Sequence, residues 1–115
     1  MGQAEEHLQR GISLKIAGRY DEAIKELEQA IAEDGSSCEA HRQLGLVYGF
    51  VGMFDESIEM LKRAKELSPS NLDARNDLAL TYAMLGMIEE AKMEFTSILE
   101  EDPSNEVARK NIVYF

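Results

Sequence analysis

Gly18-Arg19-Tyr20-Asp21-Glu22-Ala23-Ile24 returns as Gly52-Met53-Phe54-Asp55-Glu56-Ser57-Ile58 and again as Gly86-Met87-Ile88-Glu89-Glu90-Ala91-Lys92. The glycines stand 34 residues apart both times, with no insertion in either interval. Neighbouring columns keep the step. Gly11, Gly45 and Ala79 are small, as are Ala23, Ser57 and Ala91, while Leu27, Leu61 and Phe95 are large and apolar. Self-similarity at this period marks supersecondary units that stack on one another.

Each unit reads as two helices. Leu44, Val47, Tyr48 and Val51 fall at helical spacing, and so do Ile58, Leu61, Ala64 and Leu67. The short link Gly52-Met53-Phe54 forces an antiparallel hairpin. Gly18, Gly52 and Gly86 sit where the first helix of each unit ends, and a left-handed C-cap carries no steric cost for glycine. Asp21, Asp55 and Glu89 are expected to open the second helices, where carboxylates meet free amides and the positive dipole end. Pro69 and Pro103 mark unit ends, and Ser70-Asn71 and Ser104-Asn105 offer caps to the helices that follow. Gly45, Ala79, Ser57 and Ala91 allow close crossings, which Leu44, Tyr48, Leu61, Leu78, Tyr82 and Phe95 surround. One hairpin buries too little to stand alone, and about three repeats suffice to share a core.

Composition narrows the function. The 115 residues are one domain's worth, 44% hydrophobic and 30% charged. Twelve Lys and Arg against 22 Asp and Glu give a net charge of −10, which disfavours nucleic acid and anionic membrane as partners. No apolar run approaches the ~20 residues that span a bilayer, and the acidic start lacks the features of a secretory signal. A lone cysteine, Cys38, allows no intrachain disulfide and points to a reducing, cytoplasmic setting.

The repeat resembles the tetratricopeptide repeat. The middle unit carries Leu44-Gly45, Tyr48, Ser57, Leu61, Ala64 and Pro69, and the third carries Leu78-Ala79, Tyr82, Ala91, Phe95 and Pro103. The first keeps Gly11, Ala23 and Ala30 but has Arg10, Leu14 and Gly35 where the pattern has Leu, Tyr and Pro, which suits a terminal repeat. The resemblance implies an all-α, right-handed α-solenoid of three helix-turn-helix repeats with a C-terminal capping helix. A single domain then spans residues 1–115, with repeats at about 4–37, 38–71 and 72–105 and the last helix over 106–115, placing Ile112 in the Leu44/Leu78 core column.

Family membership implies a concave groove, lined by first helices, that binds peptides or partner proteins. Carried over residue by residue, its candidate contacts are Leu8, Ile12, Ile16, Arg42, Leu46, Phe50, Asn76, Leu80 and Met84. The rows Ile12/Leu46/Leu80 and Ile16/Phe50/Met84 are apolar throughout, and Gly49 and Ala83 leave room beside Phe50 and Met84. Such a trough suits an amphipathic helix or an extended hydrophobic peptide. The alternative is that curvature or the seventh helix already covers part of it. Co-chaperone members grip a C-terminal carboxylate with Lys and Asn, then Asn, then Lys and Arg. The matching places here hold Leu8 and Ile12, Gln43, and Asp73 and Asp77, so a carboxylate would meet two acids.

Sixteen of the 22 acidic residues fall in the second-helix segments and read as a solvated outer face, with docking of a basic partner as the sharper alternative. Cys38, His41 and His7 lack a fourth ligand for zinc, and no metal or cofactor is expected. Gly49-Phe50-Val51-Gly52 lacks the Lys-Ser/Thr ending of a phosphate loop, and no nucleophile has a base arranged by motif. The expectation is a non-enzymatic, protein-binding scaffold. The alternatives are a homodimer through Tyr114 and Phe115, at the apolar end of the capping helix, or a regulatory module of a larger protein.

Overall fold

In a computed structural model describing residues 2–115, seven helices follow one another and no strand occurs among the described residues. Met1, the first residue of the expected domain, lies outside them. The helices are α1 Gln3–Ile16, α2 Tyr20–Glu33, α3 Cys38–Phe50, α4 Phe54–Leu67, α5 Leu72–Met84, α6 Ile88–Glu101 and α7 Glu106–Ile112. Each packs on the next, and α1 also touches α3, and α3 touches α5. The result is a right-handed α-solenoid of three helix pairs and a closing helix, with extents of 40 × 27 × 20 Å.

The hairpin glycines are in the left-handed region, with φ of 79° at Gly18, 82° at Gly52 and 76° at Gly86. Each turn ends its helix with one long backward hydrogen bond: Arg19 N–H to Leu14 O, Met53 N–H to Tyr48 O, and Met87 N–H to Tyr82 O. The second helices start one residue before the expected acids, at Tyr20, Phe54 and Ile88, and no side chain caps them. Asp21, Asp55 and Glu89 therefore act within the first turn, through the dipole, because the tight hairpin already fixes helix entry. Asn71 and Asn105 cap α5 and α7 by accepting from the Ala74 and Ala108 amides. Ser37 does the same for α3, accepting from the Ala40 amide. It occupies the repeat column of Asn71 and Asn105.

Two apolar clusters form one layered core. Leu8, Ala23, Leu27, Ala30, Ala40, Leu44 and Val47 fill the N-terminal part. Leu61, Leu78, Ala79, Tyr82, Ala91, Phe95, Ile98 and Ala108 fill the C-terminal part, with Ile112 packed against them. Helix α7 stops at Ile112 rather than continuing to Phe115. The Tyr114 and Phe115 amides bond three residues back, to Asn111 and Ile112, and that tighter turn swings the last ring inward. Phe115 stacks on buried Phe95 with centroids 6.0 Å apart, so this half of the expected dimer contact is engaged within its own chain. Tyr114 remains exposed.

Candidate functional site: the first-helix face and its turn edge

Besides its chain neighbours, α3 approaches both α1 and α5 directly, so α1, α3 and α5 share one face. Polar side chains tie these three helices together. Lys15 Nζ donates to Gln43 Oε1 at 2.7 Å, Gln43 Nε2 donates to Glu39, and Arg42 bridges Glu39 and Asp77. The Arg42 Nε to Asp77 Oδ2 distance is 2.5 Å. Burial works against the charge on Arg42, but Asp77 and Glu39 outweigh it and raise the guanidinium pKa. Burial also pushes the Asp77 carboxyl up, further than Arg42 pulls it down. Arg42 is thus already held between two acids of its own chain.

Apart from Arg42, the expected contact residues divide into three groups. Leu8 and Asn76 are only 7% and 4% exposed. Leu8 belongs to the core beside Leu27, and Asn76 donates to Asn105 Oδ1 at 3.0 Å, so both support the face from behind. That corrects their expected role as direct contacts: the neighbouring helices α2 and α7 cover them. Ile12, Leu46 and Leu80 are half-buried. Ile16, Phe50 and Met84 are open, at 78%, 60% and 68% exposure.

The open row lies at the C-terminal ends of α1, α3 and α5, beside the three hairpin turns. All three turns share one edge, because the helix pairs run in the same sense. Phe50 rests on Tyr20, the first residue of α2, with centroids 5.6 Å apart. Val51, Met53 and Ile88 extend the exposed apolar surface along this edge. Those three escape the groove columns; the Tyr20/Phe54/Ile88 repeat column signals Ile88 alone.

Other clusters offer less. A cavity of about 580 Å³ lies away from the odd-helix face, between His41 and the side of α4 that carries Glu59 and Arg63. His41 is buried, its Nδ1 2.8 Å from Ser37 O, and Cys38 accepts from Asn71 Nδ2 at 3.5 Å. Burial raises the Cys38 thiol pKa. His7 lies against Glu26, on a different helix pair. Among the described residues no three His, Cys, Asp or Glu side chains converge to hold a metal ion, and no helix is long and apolar enough to cross a membrane.

Comparison with known proteins adds the family. A tetratricopeptide repeat family model matches residues 51–111, more than half of the chain, and a second, described as TPR repeat, matches residues 6–50. No curated protein matches the chain. Among solved structures, the first TPR domain of Spaghetti (RPAP3), bound to the HSP90 peptide SRMEEVD, is 22% identical. The match covers 97% of this chain and 89% of that one, with a TM-score of 0.90. The second TPR domain of human RPAP3, in complex with the HSP70 peptide SGPTIEEVD, is 25% identical over 97% of this chain and 93% of that one, with a TM-score of 0.89. MamA is 26% identical over 95% of this chain and 64% of its own, with a TM-score of 0.88. On the sequence match and the stacked helix pairs together, this chain belongs to the tetratricopeptide repeat family.

Proposed function

We propose that the chain is a non-enzymatic scaffold that binds a peptide or amphipathic segment of another protein on its first-helix face. The observation that carries this is the row Ile16, Phe50 and Met84, three large apolar side chains left open at matched places in three successive units. A soluble domain seldom leaves so regular an apolar row in water without a partner. Half-buried Ile12, Leu46 and Leu80 give the row a floor. Peptide complexes of two similar structures support the general mode. Their peptides end in Glu-Glu-Val-Asp, however, and the acids Asp73 and Asp77 on α5 disfavour that type of end here. The lone Cys38, half-buried and with a raised pKa, fits work in a reducing cytoplasm.

The test is partner capture from a cell extract by the full chain and by a Leu46→Ala, Phe50→Ala variant with unchanged helicity. Loss of a captured protein supports the reading. Equal capture by the variant overturns it.

A further inference from the structure

We infer that the segment this chain binds is basic and apolar, and that it seats along the hairpin-turn edge; this rests on the reading above and gives its partner a chemistry. The apolar element is the open row Ile16, Phe50 and Met84, widened by Met53 and Ile88 at the adjoining turns. The charge is negative in every unit. The first turns of α2, α4 and α6 carry Asp21-Glu22, Asp55-Glu56 and Glu89-Glu90. All six carboxylates are exposed, and all six lie along the edge of the solenoid where the open row runs. Arg19 is the one basic residue in these turns, and Glu22 takes it up at 2.8 Å. Lys15 stands in the last turn of α1, where it donates to Gln43, and no basic residue stands in the last turn of α3 or α5.

A ligand that covers Phe50 and Met84 therefore passes Asp55-Glu56 and Glu89-Glu90, none of which forms an ion pair among the described residues. Lysines or arginines flanking its apolar anchors would meet those carboxylates, and would gain the long-range attraction of a chain with net charge −10. A second copy is a poor occupant, since two such edges would set six carboxylates against six more at a combined charge of −20. An acidic peptide is disfavoured for the same reason.

A selection decides among these occupants. A phage library of random peptides of about 16 residues is panned against the full chain, against Phe50→Ser/Met84→Ser, and against Asp55→Asn/Glu56→Gln/Glu89→Gln/Glu90→Gln. The serine variant keeps the charge of −10. Circular dichroism checks each fold, and Ile16→Ser serves in place of the double variant if Phe50 proves needed beside Tyr20. The expected result is enrichment of peptides that are net basic and carry two or more large apolar residues. Their affinity should fall about tenfold or more on the serine variant and drop steeply with added salt, and the basic bias should vanish on the neutralised variant. Neutral or acidic winners from the unmodified chain would overturn the charge assignment while leaving the scaffold reading intact. Basic peptides that bind the serine variant equally well would show diffuse attraction only and overturn the site. No enriched peptide from any of the three would sink both readings.

Discussion

Ser57 Oγ donates a 2.7 Å hydrogen bond to the carbonyl oxygen of Gly45, joining α3 and α4 where the two helices cross with almost nothing between them. A Cβ on Gly45 would come within 2.8 Å of Leu61 Cγ and 3.2 Å of Ser57 O. The third unit has Ala79 in this column and Phe95 in the column of Leu61, both fully buried in one cluster. Gly45→Ala gains about 1 kcal/mol of helix propensity and loses more to overpacking, for a net destabilisation of about 1–2 kcal/mol. Ser57→Ala, which copies Ala23 and Ala91, should cost only about 1 kcal/mol. Urea midpoints that fall in this order, at unchanged slope, are the expected outcome.

Arg75 makes a second prediction. It occupies the repeat column of His7 and His41, where the family resemblance implies a partly exposed aromatic. Its side chain is nevertheless buried and stitches α5 to α6. Nη1 donates to Glu101 and to Pro69 O, and Nη2 donates to Ser97 Oγ at 2.7 Å. Arg75→Ala should cost about 3 kcal/mol, because it leaves Ser97 and Pro69 O without their donor and opens a gap. Glu101→Gln, at the solvent end of the same network, should cost about 1 kcal/mol or less. Thermal unfolding compares the two.

Two carboxylates should respond to pH with opposite signs. Glu26 has a lowered pKa, chiefly through its hydrogen bond with Arg10, with burial opposing and His7 assisting. Its contribution to stability is present above the ordinary glutamate pKa and is lost as pH falls through the lowered one. Asp77 has a raised pKa, chiefly through burial, so its contribution is greatest below the ordinary aspartate pKa and is lost as pH rises through the raised one. Relative to the unmodified chain, Glu26→Gln should become less stable as pH rises from acid to neutral, while Asp77→Asn should become more stable. Denaturant titrations across that range read both trends.

Cys38 should behave as a quiet thiol. Burial raises its pKa, a hydrogen bond from Asn71 opposes that rise, and the nearby Glu39 adds to it. Because the thiolate is the reactive form, a disulfide reagent should modify the folded chain at least about tenfold more slowly than the urea-unfolded chain. Equal rates would show the thiol to be open.

Much of this architecture was legible because its signals are local. Gly18, Gly52 and Gly86 announce left-handed caps wherever they stand, and Pro69 with Asn71 stops one helix and starts the next. The 34-residue step then lays the units side by side. Burial of individual side chains was less legible, since it depends on neighbours the period does not name. Leu8 falls in a groove column but disappears against α2, and Asn76 turns toward the cap residue Asn105. Arg75 is drawn inward by Ser97 and Glu101 on α6. Phe115 is not legible as core, because the turn that points it at Phe95 follows from how α7 ends, not from any repeat. In the candidate site, the apolar row was readable by column, whereas its place beside the turns emerged only when α2 brought Tyr20 under Phe50.

The proposed binding surface is the open row formed by Ile16, Phe50 and Met84. Amide and methyl NMR of the full chain, titrated with a peptide enriched by selection, tests it most directly. The account predicts shift changes gathered at these three residues and at the neighbouring turns, with α2, α4 and α6 quiet beyond their first turns. Changes confined to the outward faces of α4 and α6, or centred on Val113 and Tyr114, would contradict it.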